Sequence, residues 1–440
     1  MRHRPRAAGG RGIGFGAGLT AASAALAAAI VFTPLDAQRG GMFLGSLDDP
    51  AIAYATAPTS TVVDALNRRL ADGSARLTFD GRAGYLRSTL EALALPVDSQ
   101  LLLFSKASLQ GRLIGPANPR AIFFDDGVAL GWVRDAAFLE VAALDARQGL
   151  VFYTLEQHPA ERPVFKREFR CLGCHLTGDT LGVPGLLMFS STLDGADDRV
   201  VNAVMRDHRD PLAERFGGWF VTGAAARAAH RGNGVPALAG RAAPALDSTA
   251  GLYDADGFPA ASSDLAALLT FSHQTHMTSL LTRAGWEARA QDPALHPGAP
   301  PAASPGALDA FMASIAQDVV DYLLFVDEAP LAQPVHGRSA FAARMSARGP
   351  RDRRGRSLYE LDLERRLLKY PCSYVIYSPA FDGLSPLVKA PIYRRLWAVL
   401  SGDVTDPRYR AALSPADRQA ILEILRDTKP DLPPYFAAPR

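Results

Sequence analysis

The run Cys171-Leu-Gly-Cys174-His175 constrains this chain more than any other stretch. Two thiols three positions apart, with a histidine directly after the second, are the spacing by which a porphyrin is attached covalently. The thiols add to two vinyl groups, and the adjacent imidazole points at the iron. Random placement of three cysteines and nine histidines would produce the full pattern only roughly 0.0003 times in a chain this long. A zinc site would need two more ligands, commonly a second cysteine pair, and the remaining cysteine is the distant Cys372. A thioredoxin-like pair would open a helix after a βαβ strand, whereas here an antiparallel-looking strand precedes the motif. The expectation is one covalent haem c, with Cys171 and Cys174 as attachment points and His175 as proximal iron ligand.

The N-terminus carries an address. Arg2, Arg4, Arg6 and Arg11 form a positive region, followed by an Ala-rich apolar stretch from Ile13 to Phe32 and a small residue, Ala37, at a plausible cleavage point. Residues 1–38 therefore read as a signal peptide or an N-terminal anchor. The stretch is almost long enough to span a bilayer, though its Gly and Ala content weakens it. The folded part is expected in the periplasm or another extracytoplasmic compartment, with membrane anchoring through this segment as the alternative. Covalent haem attachment in bacteria requires that compartment, so two independent features agree. A composition 48% hydrophobic and 21% charged is that of a folded soluble protein, and a net charge of +2 implies no nucleic-acid partner. Three cysteines build no disulfide framework, and Cys372 reads as a buried small apolar residue.

Beyond the leader, the pattern is α+β: a β-rich antiparallel N-terminal half, a haem-attachment segment, and a mainly helical C-terminal half. Residues 42–165 are expected to form the β-rich domain, with short helices over Val62–Leu70 and Tyr85–Leu95. Five short apolar runs follow, at 101–104, 121–124, 128–132, 138–141 and 150–154, separated by Asp/Gly turn clusters, and predict an antiparallel meander up to the motif. Residues 166–255 form the haem-attachment segment. Residues 256–440 are expected as helices packing on the haem. Ser262 or Ser263 is the expected cap of a long helix running to Trp286, and further helices are expected at 307–326, 358–369, 387–400 and 415–426.

The sixth iron ligand is sought in Phe271-Ser-His273-Gln-Thr-His276-Met277 on the long helix. His273 and His276 lie one turn apart near the seam of Leu265, Leu269 and Leu280. Either imidazole, or the Met277 thioether, is therefore a candidate to face the iron, with His276 preferred as metal ligand. Their alternative role is as polar residues satisfied by neighbours. Met188 reads as a core side chain, while His208 and His230 read as surface or turn residues. His158 and His336 have no supporting context. The Arg-rich run from Arg344 to Arg356 reads as a solvated loop, with haem carboxylates or an acidic redox partner as its alternative targets.

The five-residue motif and the leader together resemble the c-type cytochromes. Phe104-Ser-Lys-Ala-Ser-Leu-Gln110, Phe169–His175, Gly217-Gly-Trp-Phe-Val-Thr-Gly223 and His273–Met277 are also similar to stretches of exported bacterial proteins that contain a cytochrome c domain and have no assigned activity. The resemblance implies haem binding and electron transfer with redox partner proteins. It departs from the small single-haem cytochrome domain, in which a helix directly precedes the motif. The competing expectation is a haem-dependent peroxidase or oxidase with a distal histidine, His273 or His276, as acid–base group. A third is a haem-containing structural or sensory module whose β-rich half binds a partner.

Overall fold

The computed structural model of the chain describes residues 41–106, 108–194, 199–223, 230–234, 247–296 and 304–437. The signal peptide or anchor expected at 1–38 lies outside the described residues, among which no helix is long and apolar enough to cross a membrane.

Two short helices come first. Helix α1 (Val62–Ala71) opens on a capping box in which Thr61 and Asp64 satisfy each other's backbone N–H groups. Helix α2 (Leu86–Ala92) follows. The apolar runs then become strands: β1 (Leu101–Leu103), β2 (Arg120–Asp125), β3 (Val128–Trp132), β4 (Phe138–Asp145) and β5 (Gly149–Glu156). Next come β6 (Lys166–Arg167), α3 (Leu172–His175), β7 (Phe189–Leu193), β8 (Val200–Met205) and β9 (Trp219–Phe220). Seven strands form one sheet in the order β6-β5-β4-β3-β2-β1-β9, each pair antiparallel, while β7 and β8 make a separate hairpin. The meander is as expected. The hairpin was not anticipated, and neither was β9, because a two-residue strand in a glycine-rich run leaves no alternation to detect.

The period-two side-chain pattern of the strands creates two different faces. Leu102, Phe104, Phe123, Leu130, Val141 and Tyr153 point to one side and pack with Val63, Leu66, Leu86 and Leu90 of α1 and α2. Leu101, Leu103, Phe124 and Ala129 belong to the other face, which packs with the C-terminal helices. That second face is crossed by α4 (Leu265–Ala290), and Phe124 meets Phe271 at a 4.6 Å ring separation. Behind α4 lie α5 (Pro305–Leu323), α6 (Phe341–Ala347), α7 (Pro379–Asp382), α8 (Pro386–Ser401), α9 (Pro407–Ala412) and α10 (Pro415–Thr428). Residues expected as three successive segments share a single core, since Leu101, Leu181 and Leu265 sit in one cluster.

Helix α4 is capped by Asp264 rather than by Ser262 or Ser263. Asp264 Oδ1 accepts from Ala266 N at 2.9 Å, while Oδ2 accepts from Arg338 N (2.9 Å), Ser339 N (2.8 Å) and Ser339 Oγ (2.7 Å). Ser263 caps no helix; its hydroxyl accepts from Leu102 N at 3.0 Å, tying the approach to the sheet. The helix expected over 358–369 is absent. Leu363 has a φ of +60° and Leu361 bridges to Leu368, so the apolar spacing there belongs to a folded turn that dips into the core. The Arg-rich run starts in α6 and continues from Gly349 to Gly355 as a largely exposed loop, with several of its arginines in ion pairs. Arg344 pairs with Asp98, Arg348 with Asp125 and Asp126, and Arg356 with Asp352 and Glu423. Cys372 is fully buried, as expected of a small apolar residue.

Asp264→Ala removes a buried carboxylate that serves four donors from two segments. It should lower the unfolding free energy by roughly 2–4 kcal/mol. Ser262→Ala should change it by less than about 0.5 kcal/mol. Urea denaturation of the two variants checks both values.

Candidate functional site

The motif sits at the edge of the sheet, where the chain leaves β6. Arg167 spans Tyr54 and Phe169, with its guanidinium 4.8 Å and 4.9 Å from the two ring centres. Glu168 then accepts from Arg170 N at 2.9 Å and starts a short turn that runs into α3. Cys171 is half-buried and Cys174 exposed, and both thiols are free. After His175 the backbone folds back on itself. Thr177 and Thr180 cap each other, Leu181 takes a left-handed φ of +61°, and Gly185 returns to His175.

Two hydrogen bonds close that return. Gly185 N donates to His175 O at 2.9 Å, and His175 Nδ1 lies 2.8 Å from Gly185 O. A carbonyl only accepts, so Nδ1 carries the proton and Nε2 keeps its lone pair. Gly185 permits this because a Cβ there would stand 2.6 Å from Ser279 Oγ of α4 and 2.9 Å from Thr180 Cβ. The imidazole also packs on Phe152, 5.0 Å between ring centres. Burial pushes its pKa below the ordinary value, so the ring is neutral at physiological pH.

Cys171, Cys174 and His175 all line one cavity of about 360 Å³, a size ordinary for a small-molecule or cofactor site. Leu103, Ile122, Phe152, Leu186, Trp219 and Phe271 make its apolar walls. Small residues at alternate positions on neighbouring strands, Ala129 and Gly131 on β3 and Ala142 on β4, clear the space over the sheet. One half-buried ion pair stands among them: Arg120 Nη2 lies 2.8 Å from Glu140 Oε2. Two free thiols and one neutral imidazole with an available Nε2, facing a shared apolar space, are the donor set that a covalently attached haem requires. Burial, then Glu140 and Glu168, push the Cys171 thiol up to about 11, which is unlike an activated redox thiolate. Among the described residues no group of three or more His, Cys, Asp or Glu is arranged to hold a metal ion.

His273, His276 and Met277 are not part of this cavity. Helix α4 turns Phe271, Gln274, Thr275 and Thr278 toward the sheet. At 3.6 residues per turn His273 and His276 lie roughly half a turn away from Phe271. They face α5 instead. His273 has both ring nitrogens engaged, Nδ1 with His208 Nδ1 at 2.9 Å and Nε2 with Ser373 Oγ at 2.7 Å. His276 Nε2 accepts from Arg209 Nη2 at 3.3 Å, and Met277 is fully buried in the core. Tyr322 and Phe325 of the α5 end stack on His208 and His273 at 4.2–5.1 Å. His208, expected at a turn surface, is thus a core residue. Burial raises the carboxyl of its neighbour Asp207, but Arg209 at 2.6 Å, with His276 and His208 beside it, holds that carboxyl well below the usual range. Met188 is buried in the core and absent from the cavity wall, as expected.

Sequence reasoning missed Arg120 and Glu140, which are far apart in the chain and unremarkable as single charges. Comparisons with family models, with curated proteins and with solved structures return no match for this chain.

The buried histidines set a pH dependence for stability. Burial lowers the pKa of His273 to about 3 and holds that of His208 well below the ordinary value. Below about pH 6.5 the unfolded chain binds protons on both rings that the folded chain does not. Glu328 works the other way, because burial raises its carboxyl to about 7 and the folded state keeps a proton there. From pH 6.5 down to 4.5 unfolding therefore takes up a net of about one proton through these three groups, and stability falls by roughly 1.4 kcal/mol per pH unit. His273→Gln should flatten that slope in urea midpoints measured from pH 8 to 4.5; an unchanged slope would show that other groups govern it.

Proposed function

We propose that this chain is an exported c-type haem protein that carries one haem on Cys171 and Cys174, with His175 as axial ligand. Its role is electron transfer with redox partner proteins outside the cytoplasm. The observation that carries this reading is the convergence of both thiols and His175, with Nε2 left available, on one largely apolar cavity. When bound there, a haem supplies a reversible one-electron couple and, where a coordination position stays open, reactivity toward small oxidants. The chain's own residues do the rest. Gly185 O fixes the ring orientation and tautomer of His175. Phe152, Leu186, Trp219 and Phe271 exclude water from the space beside it, which is one of the protein's levers on a reduction potential. Export rests on the Arg-rich start and the apolar stretch from Ile13 to Phe32.

A second reading, a haem-dependent peroxidase or oxidase, is favoured by one specific observation. Among the described residues lining the cavity there is no methionine and no histidine besides His175. A ligand from solution therefore has no methionine sulfur or second imidazole of the described wall to displace. The distal histidine first expected for such an enzyme is withdrawn, because His273 and His276 face the opposite side of α4.

Optical spectra of the purified full chain test both readings. A pyridine haemochrome of the thioether type, one haem per chain, is expected, and haem extractable by acid acetone would end the c-type reading. The reduced protein is expected to bind carbon monoxide. His276→Ala and Met277→Leu should leave that spectrum unchanged, whereas His175→Ala should alter it. Peroxide-dependent dye oxidation selects the second reading. Its absence, together with salt-sensitive electron exchange with a soluble redox protein, selects the first.

A further inference from the structure

Arg120, Gly131 and Glu140 lie on three successive strands of the sheet. Gly131 of β3 is the register partner of Ile122 on β2 and of Glu140 on β4. From β2 the Arg120 side chain crosses over Gly131 to reach Glu140 at 2.8 Å. The crossing is close: a Cβ at residue 131 would stand 2.4 Å from Arg120 Nη2 and 2.6 Å from Nε. A glycine in the middle strand is therefore what lets a guanidinium lie flat on the sheet. The pair is largely sheltered, with side-chain exposures of 15% for Arg120 and 11% for Glu140. Ser108 Oγ donates to both Glu140 oxygens, at 3.2 Å and 3.3 Å, and so fixes the carboxylate from the other side.

The salt bridge engages one of three guanidinium nitrogens, and Nε is buried without an acceptor among the described residues. A guanidinium carries five N–H donors and no acceptor. Leaving donors unmet beside an apolar cavity costs stability unless something in the cavity accepts from them. Among the described residues the other charged side chains at this cavity are Lys106 and Arg170, which add positive charge, and Glu140 is the one acid in the lining.

We infer that Arg120, seated on Gly131 and held by Glu140, is the anion-recognising residue of this cavity and that its partner is a carboxylate. Two sources share that chemistry: a carboxylate of the bound haem itself, or a small free carboxylate entering beside it. The inference rests on the haem reading above. Arg120 is a positioning residue in the first case and a specificity residue in the second.

The test uses the full-length haem-loaded protein and two variants. Arg120→Gln removes the charge, and Gly131→Ala keeps it but pushes the guanidinium off its seat. Haem content is measured first by pyridine haemochrome. A wild-type chain without covalent haem defeats the haem reading, and the inference with it, before any variant is examined. With haem attached, the midpoint potential and the optical response to sodium formate are then recorded. A haem carboxylate as the partner predicts a lower midpoint potential in Arg120→Gln, a smaller fall in Gly131→Ala, and no formate response in any of the three proteins. A free carboxylate predicts a saturable spectral shift of the wild type with formate, weakened about ten- to hundredfold in Arg120→Gln. Full haem content with an unchanged potential and no formate response in the variants or the wild type overturns the inference.

Discussion

Helix α4 has no solvent face, and the placement of everything else follows from that. Nearly all of its residues from Leu265 to Arg289 are buried, polar ones included. A helix buried all round is usually apolar all round. This one instead satisfies its hydroxyls internally: Thr270, Thr278 and Thr282 each donate to the carbonyl four residues back at 2.8 Å. Its amide and imidazoles find side-chain or backbone partners on the layers to either side. The result is a polar but buried partition through the middle of the chain. One surface of it, through Phe271, closes the cavity beside the motif. The other surface, through His273 and His276, anchors the end of α5.

The motif's geometry depends on the same helix. Gly185 packs against Ser279, so the loop that follows His175 is pinned to α4 rather than hanging from the sheet edge. The imidazole orientation is in turn set by Gly185. The floor of the cavity comes from the sheet, where alternation puts Ala129, Gly131 and Ala142 on the side facing α4. A larger residue at any of these positions would fill the space next to the thiols. Helix, loop and sheet thus each contribute one wall, and no short stretch of sequence carries the site alone.

This division explains what was legible beforehand. The motif stood out because its two thiols and its imidazole lie at a fixed local spacing within five residues. The strands stood out because turn clusters of Asp and Gly bracket runs of apolar residues. The position of α4 was legible too, but not its rotation. His273, His276 and Met277 lie among apolar neighbours on every side, since the helix is buried all round, so periodicity could not say which side met the motif. The partnership of His208 with His273 is set by contacts 65 positions apart in the chain. The cap at Asp264 was missed for a related reason: two serines precede it, and local preference ranks Ser and Asp alike. What decided the matter was the approach of Arg338 and Ser339 from a distant loop.

The two polar centres on either side of α4 differ in how many of their polar atoms are already engaged. In the histidine cluster both ring nitrogens of His273 and the Nε2 of His276 are committed to neighbours, while His208 Nε2 is buried under aromatic side chains with no hydrogen-bond partner among the described residues. The motif cavity keeps its functional atoms uncommitted: two free thiols, the Nε2 of His175, and the remaining donors of Arg120. A satisfied buried network rigidifies a core, while an unsatisfied one costs stability until a ligand completes it. Gln274 joins the two regimes, since its amide donates to Asp125 O at 2.8 Å on the sheet side and accepts from Tyr374 at 3.0 Å on the other. The rigid side therefore fixes the axial position and rotation of α4. That in turn fixes where Phe271 and Ser279 stand and how wide the cavity beside His175 remains.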